Sequence, residues 1–560
     1  MIIKNPWVGY LDRSYQQIKA RILTRLGQTI PEISDHSDSN ILVVIIEAFA
    51  GVAEQLNYYI DNMAREAFIT TARRYSSAVK LTRLIDYRIK SMVPSSVDIT
   101  IEFLNQGLPY SLPSPIIIPS GTIFTTANNI SFTTTTDTTV PTGSTFVNLP
   151  LKQKTLVSNY NIGTTTNLLD QTFSLGVNYV HNSLELKIGT DDWFLKETLG
   201  FSGPLDKHYI VEISAEREAY IKFGDNINGA VPAAGLVITG NLYTSKGVNG
   251  NVNPNTITSS TSNFTTLFGI PGIKVYNSYK AVGGTDYEDI ERIRRSAPLS
   301  LRTLGRAVTR QDYRDIALLA PGVDKAKEYF NCGKFVYLYV SPNGGGIASN
   351  GFLADIVTYF EDKKMITTFV KPMPCGESHI NMDLTVTAKF RVDGLKLRAD
   401  IIKLLIDKYS YNNSDINKTI RLSDLISVVD NYSGVDYLKL NKVYLKPYIR
   451  PLTDTTIPLN YTISLNEGAI DTVTWRVKYD GVNMLLLKNN NPITNLTIGT
   501  PYTDANDIIT LTILTGTYST GDEWVFKTIP INRDLLIDDY SIPVVIENDI
   551  TLIVNEQLSI

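Results

Sequence analysis

The first ninety residues carry apolar residues at the spacing of amphipathic helices. Five of them recur three and four positions apart, which places them on one helix face: Leu11, Tyr15, Ile18, Ile22 and Leu26. A second, longer helix is predicted to begin after Asp38, a suitable N-cap residue. A third is predicted over 72–88, so residues 1–95 are expected to form a helical domain.

The second helix has an unusually narrow apolar stripe. Its members alternate at spacings of three and four, the a/d pattern of coiled coils, and we call them the heptad seam: Leu42, Ile45, Phe49, Val52, Leu56, Tyr59 and Met63. Two interpretations are open. The heptad seam pairs with a helix of another chain, or it packs on the first and third helices of its own domain.

The pattern changes to strict alternation near residue 96. Val97, Ile99, Ile101 and Phe103 alternate with polar residues, which indicates a half-buried strand. Threonine-rich and glycine-punctuated segments continue to about residue 275. We predict a mostly antiparallel β-domain with insertions over 96–275.

The C-terminal half alternates helix and strand patterns, which is typical of small α/β units. We predict an α/β domain over 276–380, with one helix over 287–295 and another over 310–319. A second α+β domain is expected over 381–454 together with 528–560, interrupted by an inserted β-module over 455–527. The expected fold class is α+β and multidomain, with an N-terminal helical bundle, a middle β-domain and C-terminal α/β domains.

The composition and the N-terminal sequence argue against several classes of protein. The 560 residues have a formal net charge of −4 and a pI of about 5.8, so no global charge surplus favours nucleic-acid binding. The two cysteines, Cys332 and Cys375, predict neither a disulfide framework nor a zinc knuckle. The N-terminus lacks the pattern of a secretory signal, and the apolar run over 41–46 is far shorter than the roughly 20 residues of a membrane span. A soluble protein with no membrane partner is expected.

Candidate catalytic chemistry is sparse. His36, His181, His208 and His379 are scattered without metal-ligand spacing. Cys375 precedes His379 by four residues, but a catalytic dyad depends on spatial proximity that spacing alone does not supply. We therefore predict no catalytic residue, no metal site and no cofactor.

The most distinctive stretch of the chain is residues 281–323. Gly283 and Gly284 allow backbone conformations at positive φ, and Thr285 or Asp286 is placed to cap the helix that follows. That helix has acidic residues near its start and arginines near its end, as the helix dipole favours. Arginine suits forked pairing with carboxylates of another subunit. A well-capped surface helix with no partner is the alternative interpretation.

Three ordered blocks resemble the baseplate J-like family, whose members build the inner baseplate ring of contractile phage tails and related injection machines. They are Ser37–Ala50 leading to Ser77–Arg88, Phe223–Gly235 continuing to Gly247–Val252, and the 281–323 stretch. The segment Asn532–Glu547 resembles the usual family ending, and the intervening 455–527 departs from the family pattern.

The resemblance implies a non-enzymatic wedge subunit in the baseplate of a virion tail, assembled in the host cytoplasm. Its partners would be other copies of itself in a ring, other wedge proteins, the central hub and spike, and the first sheath layer. The heptad seam would contact a partner helix. The candidate subunit-interface residues are Gly283, Gly284, Asp286, Glu291, Arg294, Arg295, Arg302, Arg306, Asp312 and Tyr313.

A second function class stays open. Trp475, Trp524 and Tyr479 stand in the β-like C-terminal region, where exposed aromatic rings would form a stacking platform for sugars. This pattern is compatible with a carbohydrate- or receptor-binding adhesin. An ordinary β-sandwich core explains the same residues.

Overall fold

The computed structural model describes residues 14–30, 35, 37, 40–176, 178–262, 264–330, 334–452, 459, 461–465, 472–504, 509–514, 518, 520–537 and 540–555. The chain divides into two compact units. The first contains Met1–Ser91, Leu156–Tyr243 and Tyr287–Arg302, and the second contains Met92–Thr155, Thr244–Asp286 and Thr303–Ile560.

Three helices open the first unit: α1 (Tyr15–Thr29), α2 (Ile41–Glu66) and α3 (Tyr75–Leu84). Ser14 caps α1 in a capping box with Gln17. Asn40, not Asp38, caps α2 through a hydrogen bond from the Leu42 amide, and Asp38 lies outside the described residues. The helix predicted over 72–88 corresponds to α3, which is shorter and spans Tyr75–Leu84.

Helix α1 runs antiparallel to α2. The Tyr15 amide donates to the Glu54 carboxylate at 3.0 Å, and the Lys19 ammonium pairs with Glu47. The predicted apolar face of α1 is half-buried from Tyr15 to Leu26; its first member, Leu11, lies outside the described residues. One face of α2 is therefore occupied by α1.

Among the described residues, the rest of the first unit is one sheet and one helix. The sheet has the strand order β8-β14-β10-β11-β12-β13-β9, and helix α5 (Ile290–Thr303) joins the unit over almost all its length. Trp193 meets Phe223 edge to face at 5.2 Å in the sheet core. The strands are β8 (Thr155–Thr164), β9 (Thr172–Gly176), β10 (Glu185–Ile188), β11 (Asp191–Leu195), β12 (His208–Ile213), β13 (Ala219–Phe223) and β14 (Val237–Thr244).

The second unit begins with a barrel-like sheet built on β1 (Ser96–Asn105). Its order is β15-β4-β5-β7-β1-β16, with β2 paired to β1. The predicted alternation holds, because Val97, Ile99, Ile101 and Phe103 are all 1% exposed or less. The remaining elements are β2 (Leu108–Pro109), β3 (Ile116–Ile118), β4 (Ile123–Thr126), β5 (Ser131–Thr134), β6 (Thr138–Val140), β7 (Phe146–Lys152), β15 (Ile257–Ser260), α4 (Phe264–Phe268) and β16 (Gly272–Tyr276).

Two mixed α/β layers follow in the second unit. Helices α6 (Arg310–Leu319) and α7 (Asn350–Phe360) share a core with β17 (Val323–Phe330), β18 (Phe335–Pro342) and β19 (Phe369–Pro374). Helices α8 (Gly394–Lys408) and α9 (Leu422–Asp430) share another core with the sheet formed by β20 (Gly376–Ala388), β21 (Val435–Leu445), β30 (Ser541–Val544) and β31 (Ile550–Asn555).

The segment between β21 and β30 has a core of its own. Trp475, Trp524 and Phe526 lie at its centre, each 2% exposed or less. Its strands are β22 (Arg450–Pro451), β23 (Tyr461–Leu465), β24 (Val473–Tyr479), β25 (Met484–Lys488), β26 (Asn491–Leu496), β27 (Tyr502–Thr503), β28 (Ile509–Ile513) and β29 (Glu523–Thr528).

The predicted fold class is confirmed: N-terminal helices, a β-rich barrel-like middle and C-terminal mixed α/β sheets. The region predicted as one β-domain over 96–275 contributes to both units. The division into five domains stays a prediction.

The half-buried Asp98 joins β1 to α7 within the second unit. Oδ2 of Asp98 accepts a hydrogen bond from the Asn350 amide at 2.9 Å, in the first turn of α7. Oδ1 is buried and has no hydrogen-bond partner among the described residues. Burial raises the pKa of Asp98 to about 6, and the Asn350 bond lowers it only in part.

We predict that Asp98→Asn stabilises the protein at pH 7 to 8. The folded-state pKa is higher than the value of 3.8 expected when the chain unfolds, so the charged carboxylate opposes folding above about pH 6, and this cost disappears as the pH falls toward 4. The amide oxygen of asparagine can still accept the Asn350 bond. A gain of about 1–3 kcal/mol is expected from urea unfolding at pH 8.

The same comparison at pH 5 provides the control. The difference between Asp98→Asn and the wild type should shrink there, because the wild-type carboxyl group is largely protonated. A difference that is equal at pH 5 and pH 8 would contradict the assignment of the shift to burial of the charge.

Candidate assembly interface

The two central glycines of the 281–323 stretch allow a close approach of the backbone within the second unit. Gly283 has φ +81°, and a Cβ there would lie 2.7 Å from the Phe352 ring. A Cβ on Gly284 would lie 2.5 Å from the Gly247 carbonyl oxygen. Both glycines are buried, so their contribution is internal packing of the segment.

Two of the sequence blocks meet at this point. The Asn251 side chain accepts a hydrogen bond from the Gly284 amide and donates to its carbonyl, both at 2.9 Å. The Asp286 carboxylate accepts a bond from the Val248 amide at 3.1 Å. Asp286 is solvent-exposed and is fixed in place by the turn that begins at Gly247.

The helix after the glycines begins later than predicted. Helix α5 starts at Ile290, and Asp289 accepts a hydrogen bond from the Arg292 amide at 2.8 Å. The capping role predicted for Thr285 or Asp286 therefore belongs to Asp289. The helix also continues past Arg295 to Thr303, which places Arg302 in its last turn.

Sequence reasoning missed a buried polar cluster beside α5. Glu288 is 4% exposed, and its two carboxylate oxygens lie 2.7 and 2.9 Å from the Tyr87 hydroxyl, whose single hydrogen they share. The Lys90 amide donates to the same carboxylate at 3.2 Å. Burial lowers the pKa of Lys90 to about 8, against the opposing effect of Glu288. Nothing in the local pattern distinguishes Glu288 from the exposed acids around it.

The candidate residues on α5 separate into one that supports the fold and three that face solvent. Arg294 donates to the Ala72 carbonyl oxygen and to Glu291, and its side chain is only 15% exposed. Glu291, Arg295 and Arg302 are exposed. The solvent-facing charge of α5 is therefore carried by these three residues.

In the second unit the connector leads into α6. Arg306 is exposed. Asp312 forms a capping box with Thr309, and Tyr313 is 2% exposed and stacks on Phe360. Asp312 and Tyr313 thus hold α6 in place within this chain, and the predicted helix over 310–319 has the observed bounds.

The heptad seam lies on the side of α2 away from α1. The residues of α2 that are buried near its start are Val43, Ile46 and Ala50. Leu42 is half-buried. The other six members of the heptad seam are between 46% and 75% exposed: Ile45, Phe49, Val52, Leu56, Tyr59 and Met63. In the described part of the chain, the heptad seam does not pack within its own domain.

Helix α2 is also long and apolar enough to cross a membrane, judged by length and composition alone. Such a single helix is weak evidence for a membrane span. Glu47 and Glu54 bond to residues of α1, so two charged residues of α2 take part in its packing with α1.

The remaining candidate chemistry has internal partners. Cys375 donates to the Tyr540 carbonyl at 3.1 Å, while His379 contacts Asp549 at 2.9 Å. Cys332 and His36 lie outside the described residues. Among the residues that are described, no cluster of three or more His, Cys, Asp or Glu could hold a metal ion.

The two tryptophans considered for a sugar-stacking platform of an adhesin do not lie at the surface. Trp475 and Trp524 are both 0% exposed, and the Trp475 indole donates to Thr528 at 3.0 Å. They form the core of the segment between β21 and β30, so they cannot stack on a sugar at the surface.

Comparison with known proteins gives two family matches. Residues 14–84 match the model described as bacteriophage baseplate protein, N-terminal domain. Residues 101–189 match the model described as baseplate J-like protein barrel domain. A search of curated proteins finds no match.

A solved structure also shows similarity. It is described as the cryo-EM structure of the anti-feeding prophage (AFP) baseplate, 6-fold symmetrised. The sequence identity is 14% and the TM-score 0.27, with 79% of this chain and 90% of that chain covered. A TM-score of this size does not establish a common fold, so identification depends on the two family matches. On those matches the chain belongs to the baseplate J-like family, with a phage baseplate N-terminal domain, and is a structural protein of a phage-like tail baseplate.

Proposed function

We propose that this protein is a non-enzymatic inner-ring wedge subunit of a contractile tail. It links neighbouring wedges around the central hub, contacts the first sheath layer and relays the change of shape that triggers contraction. The observation that carries the proposal is the exposed heptad seam, which lies within the segment that matches a baseplate N-terminal domain. A helix with an uncovered apolar seam is suited to a bundle with a partner's helix.

The size of the heptad seam indicates how it is used. Six half-exposed apolar side chains, at roughly 1–2 kcal/mol each on burial, stabilise a helix pair by about 6–12 kcal/mol. Association costs on the order of 4–15 kcal/mol. The heptad seam alone thus supports only marginal pairing, and a stable contact requires additional surfaces from the same partners.

The exposed charges of the 281–323 stretch supply such a surface in each of the two units. Glu291, Arg295 and Arg302 on α5, and Arg306 in the connector, face solvent. The guanidinium groups can form forked hydrogen bonds with carboxylates of a neighbouring subunit. Gly283, Gly284, Asp312 and Tyr313 shape this stretch from within, and Asp286 is held at its surface.

Cryo-electron microscopy of the intact particle tests the proposal directly. The chain should occupy a ring around the tail axis, with α2 against a helix of a second chain. Density that places the chain outside the baseplate, or α2 against its own subunit only, would contradict it. Hydrolysis of peptidoglycan or nucleotides by the purified chain would contradict the non-enzymatic assignment.

We predict that Phe49→Asp combined with Leu56→Asp abolishes helix pairing and leaves the isolated chain folded. Both side chains are more than half exposed, at 67% and 57%, so the carboxylates remain solvated in the monomer, and burying them against a partner would be strongly unfavourable. Size-exclusion chromatography with light scattering, and particle yield, measure the effect.

The matched control is Gln55→Asp, an exposed position on the same helix that gains a charge without losing an apolar contact. It should assemble like the wild type. Normal assembly of the double variant would remove the heptad seam from the interface.

We predict that Arg306→Glu weakens ring assembly by about tenfold or more. Charge reversal replaces an attraction by a repulsion, and a loss of about 1.4 kcal/mol in the free energy of association corresponds to a factor of ten. The circular dichroism spectrum and thermal midpoint of the isolated chain should not change. Lys403→Glu on the exposed side of α8 is the control. Equal particle yields for the two variants would exclude Arg306 from the interface.

A further inference from the structure

Helix α5 is hydrogen-bonded to the turn that follows α2 in the first unit. Glu66, the last residue of α2, accepts bonds from the Arg73 and Arg74 amides at 2.9 and 3.2 Å. The adjacent Ala72 is 0% exposed, and its carbonyl oxygen accepts a bond from Arg294 in the second turn of α5. The end of α2 is therefore connected to α5 through a single turn of chain.

A second set of bonds joins the start of α5 to the segment that follows α3. Glu288 stands two residues before α5, and its carboxylate oxygens share the hydrogen of the Tyr87 hydroxyl at 2.7 and 2.9 Å. The Lys90 amide donates to the same carboxylate, and the Glu288 amide donates to the Lys90 carbonyl, both at 3.2 Å. We call the side chains of Tyr87, Glu288 and Arg294 the polar joint.

The polar joint is shielded from water. Tyr87 and Glu288 are 5% and 4% exposed, and the Arg294 side chain is 15% exposed. Burial, and then the nearby Glu288 carboxylate, raise the pKa of Tyr87 far above its usual value, so the hydroxyl is protonated and donates at neutral pH. Hydrogen bonds to charged groups are strong, and breaking one here leaves a buried polar group short of a partner. The polar joint therefore resists opening while the first unit is folded.

The polar joint lies between two surfaces that are proposed to take part in assembly. One is the heptad seam on α2, which by itself supports only marginal pairing. The other is the exposed charge of α5, carried by Glu291, Arg295 and Arg302. Two linked surfaces bind the same assembly more tightly than either does alone when their separation is fixed in advance, because less freedom is lost on binding.

We propose that Tyr87, Glu288 and Arg294 are positioning residues for assembly. They hold α5 in one placement relative to α2, so that contacts at the heptad seam and at the charges of α5 form as one cooperative event. The three residues act through the surfaces that they hold and do not touch the partner. This inference rests on the proposed function and identifies what couples two of its contact surfaces.

A separate set of contacts holds α3 on the sheet of the first unit. Glu212 of β12 pairs with Arg83 at 2.8 Å and with Arg88 at 3.5 Å. These ion pairs do not involve α5. Opening the polar joint should therefore leave α3 attached to the sheet, and Glu212→Gln is the matched control, because it weakens the attachment of α3 without changing the polar joint.

The distance between α2 and α5 in the isolated full chain measures positioning directly. Nitroxide labels are attached at Gln55→Cys on α2 and Leu301→Cys on α5, both exposed positions, in a chain with Cys332→Ser. Cys375 is 1% exposed and is shielded from the reagent. Pulsed electron paramagnetic resonance should give one narrow distance distribution for this chain and for Glu212→Gln.

Opening the polar joint should change that distribution. Tyr87→Phe combined with Arg294→Met removes the hydroxyl and the guanidinium, and the distribution should broaden or gain a second distance. Tyr87→Phe combined with Arg294→Lys should stay closer to the wild type, because the lysine ammonium can still donate to the Ala72 carbonyl oxygen.

Ring assembly should follow the distances. Tyr87→Phe with Arg294→Met should lower the yield of assembled rings by about tenfold, within the usual range of coupling between two sites, although its circular dichroism spectrum matches the wild type. Glu212→Gln should assemble normally. If the double variant does not fold, Tyr87→Phe alone gives both readouts, since it removes one hydroxyl and keeps the ring.

Three results would overturn the proposal. They are an unchanged distance distribution in the folded joint variant, a broadened distribution with a normal ring yield, and equal broadening in Glu212→Gln, which would assign the effect to the packing of α3 on the sheet. If microscopy shows no wild-type chain in the baseplate ring, the proposed function itself fails. If the wild type is present there and the joint variant assembles equally well, only this inference fails.

Discussion

The alternation of side chains along β1 is the constraint on which most of the second unit depends. Its inward residues, from Val97 to Phe103, are almost fully buried and form the core of the barrel-like sheet. Its outward residues attach other elements. Asp98 accepts a bond from the first turn of α7, and Ser96 contacts Ser349 at the cap of that helix. A shift of one residue in register would exchange the two sets, so sheet core and helix attachment are specified together.

Unsatisfied apolar surface links this fold to its function. Helix α2 has two apolar faces, and α1 covers only one of them. From Ile45 to Met63 the heptad seam is exposed, whereas the other parts of the chain have cores of buried apolar residues. A structural protein of an assembly is expected to carry surfaces whose burial is completed by neighbours.

The 281–323 stretch combines internal and external roles. Gly283 and Gly284 bring the backbone against Phe352 and Gly247, and Tyr313 lies in the core with Phe360. Charged residues such as Arg302 and Arg306 are displayed at the surface. The glycines therefore act in internal packing, and the exposed arginines are the residues of the stretch that can pair with carboxylates of a partner.

Periodicity and capping chemistry in the sequence were sufficient to identify the helical N-terminus, the β-rich middle and the span of α6, and the resemblance of three ordered sequence blocks indicated the family. These are local properties: the spacing of apolar residues sets the secondary structure, and Thr309 with Asp312 sets the start of a helix. Only the tertiary structure decided which residues of that pattern are exposed. From the sequence alone, the heptad seam is equally compatible with a domain core and with an interface. Trp475 and Trp524 fit a sugar-stacking platform as well as a β-sandwich core, and Glu288 fits an exposed acid as well as a buried one. Each outcome depends on contacts between residues far apart in the chain, such as Tyr87 with Glu288, and a local pattern carries no information about them.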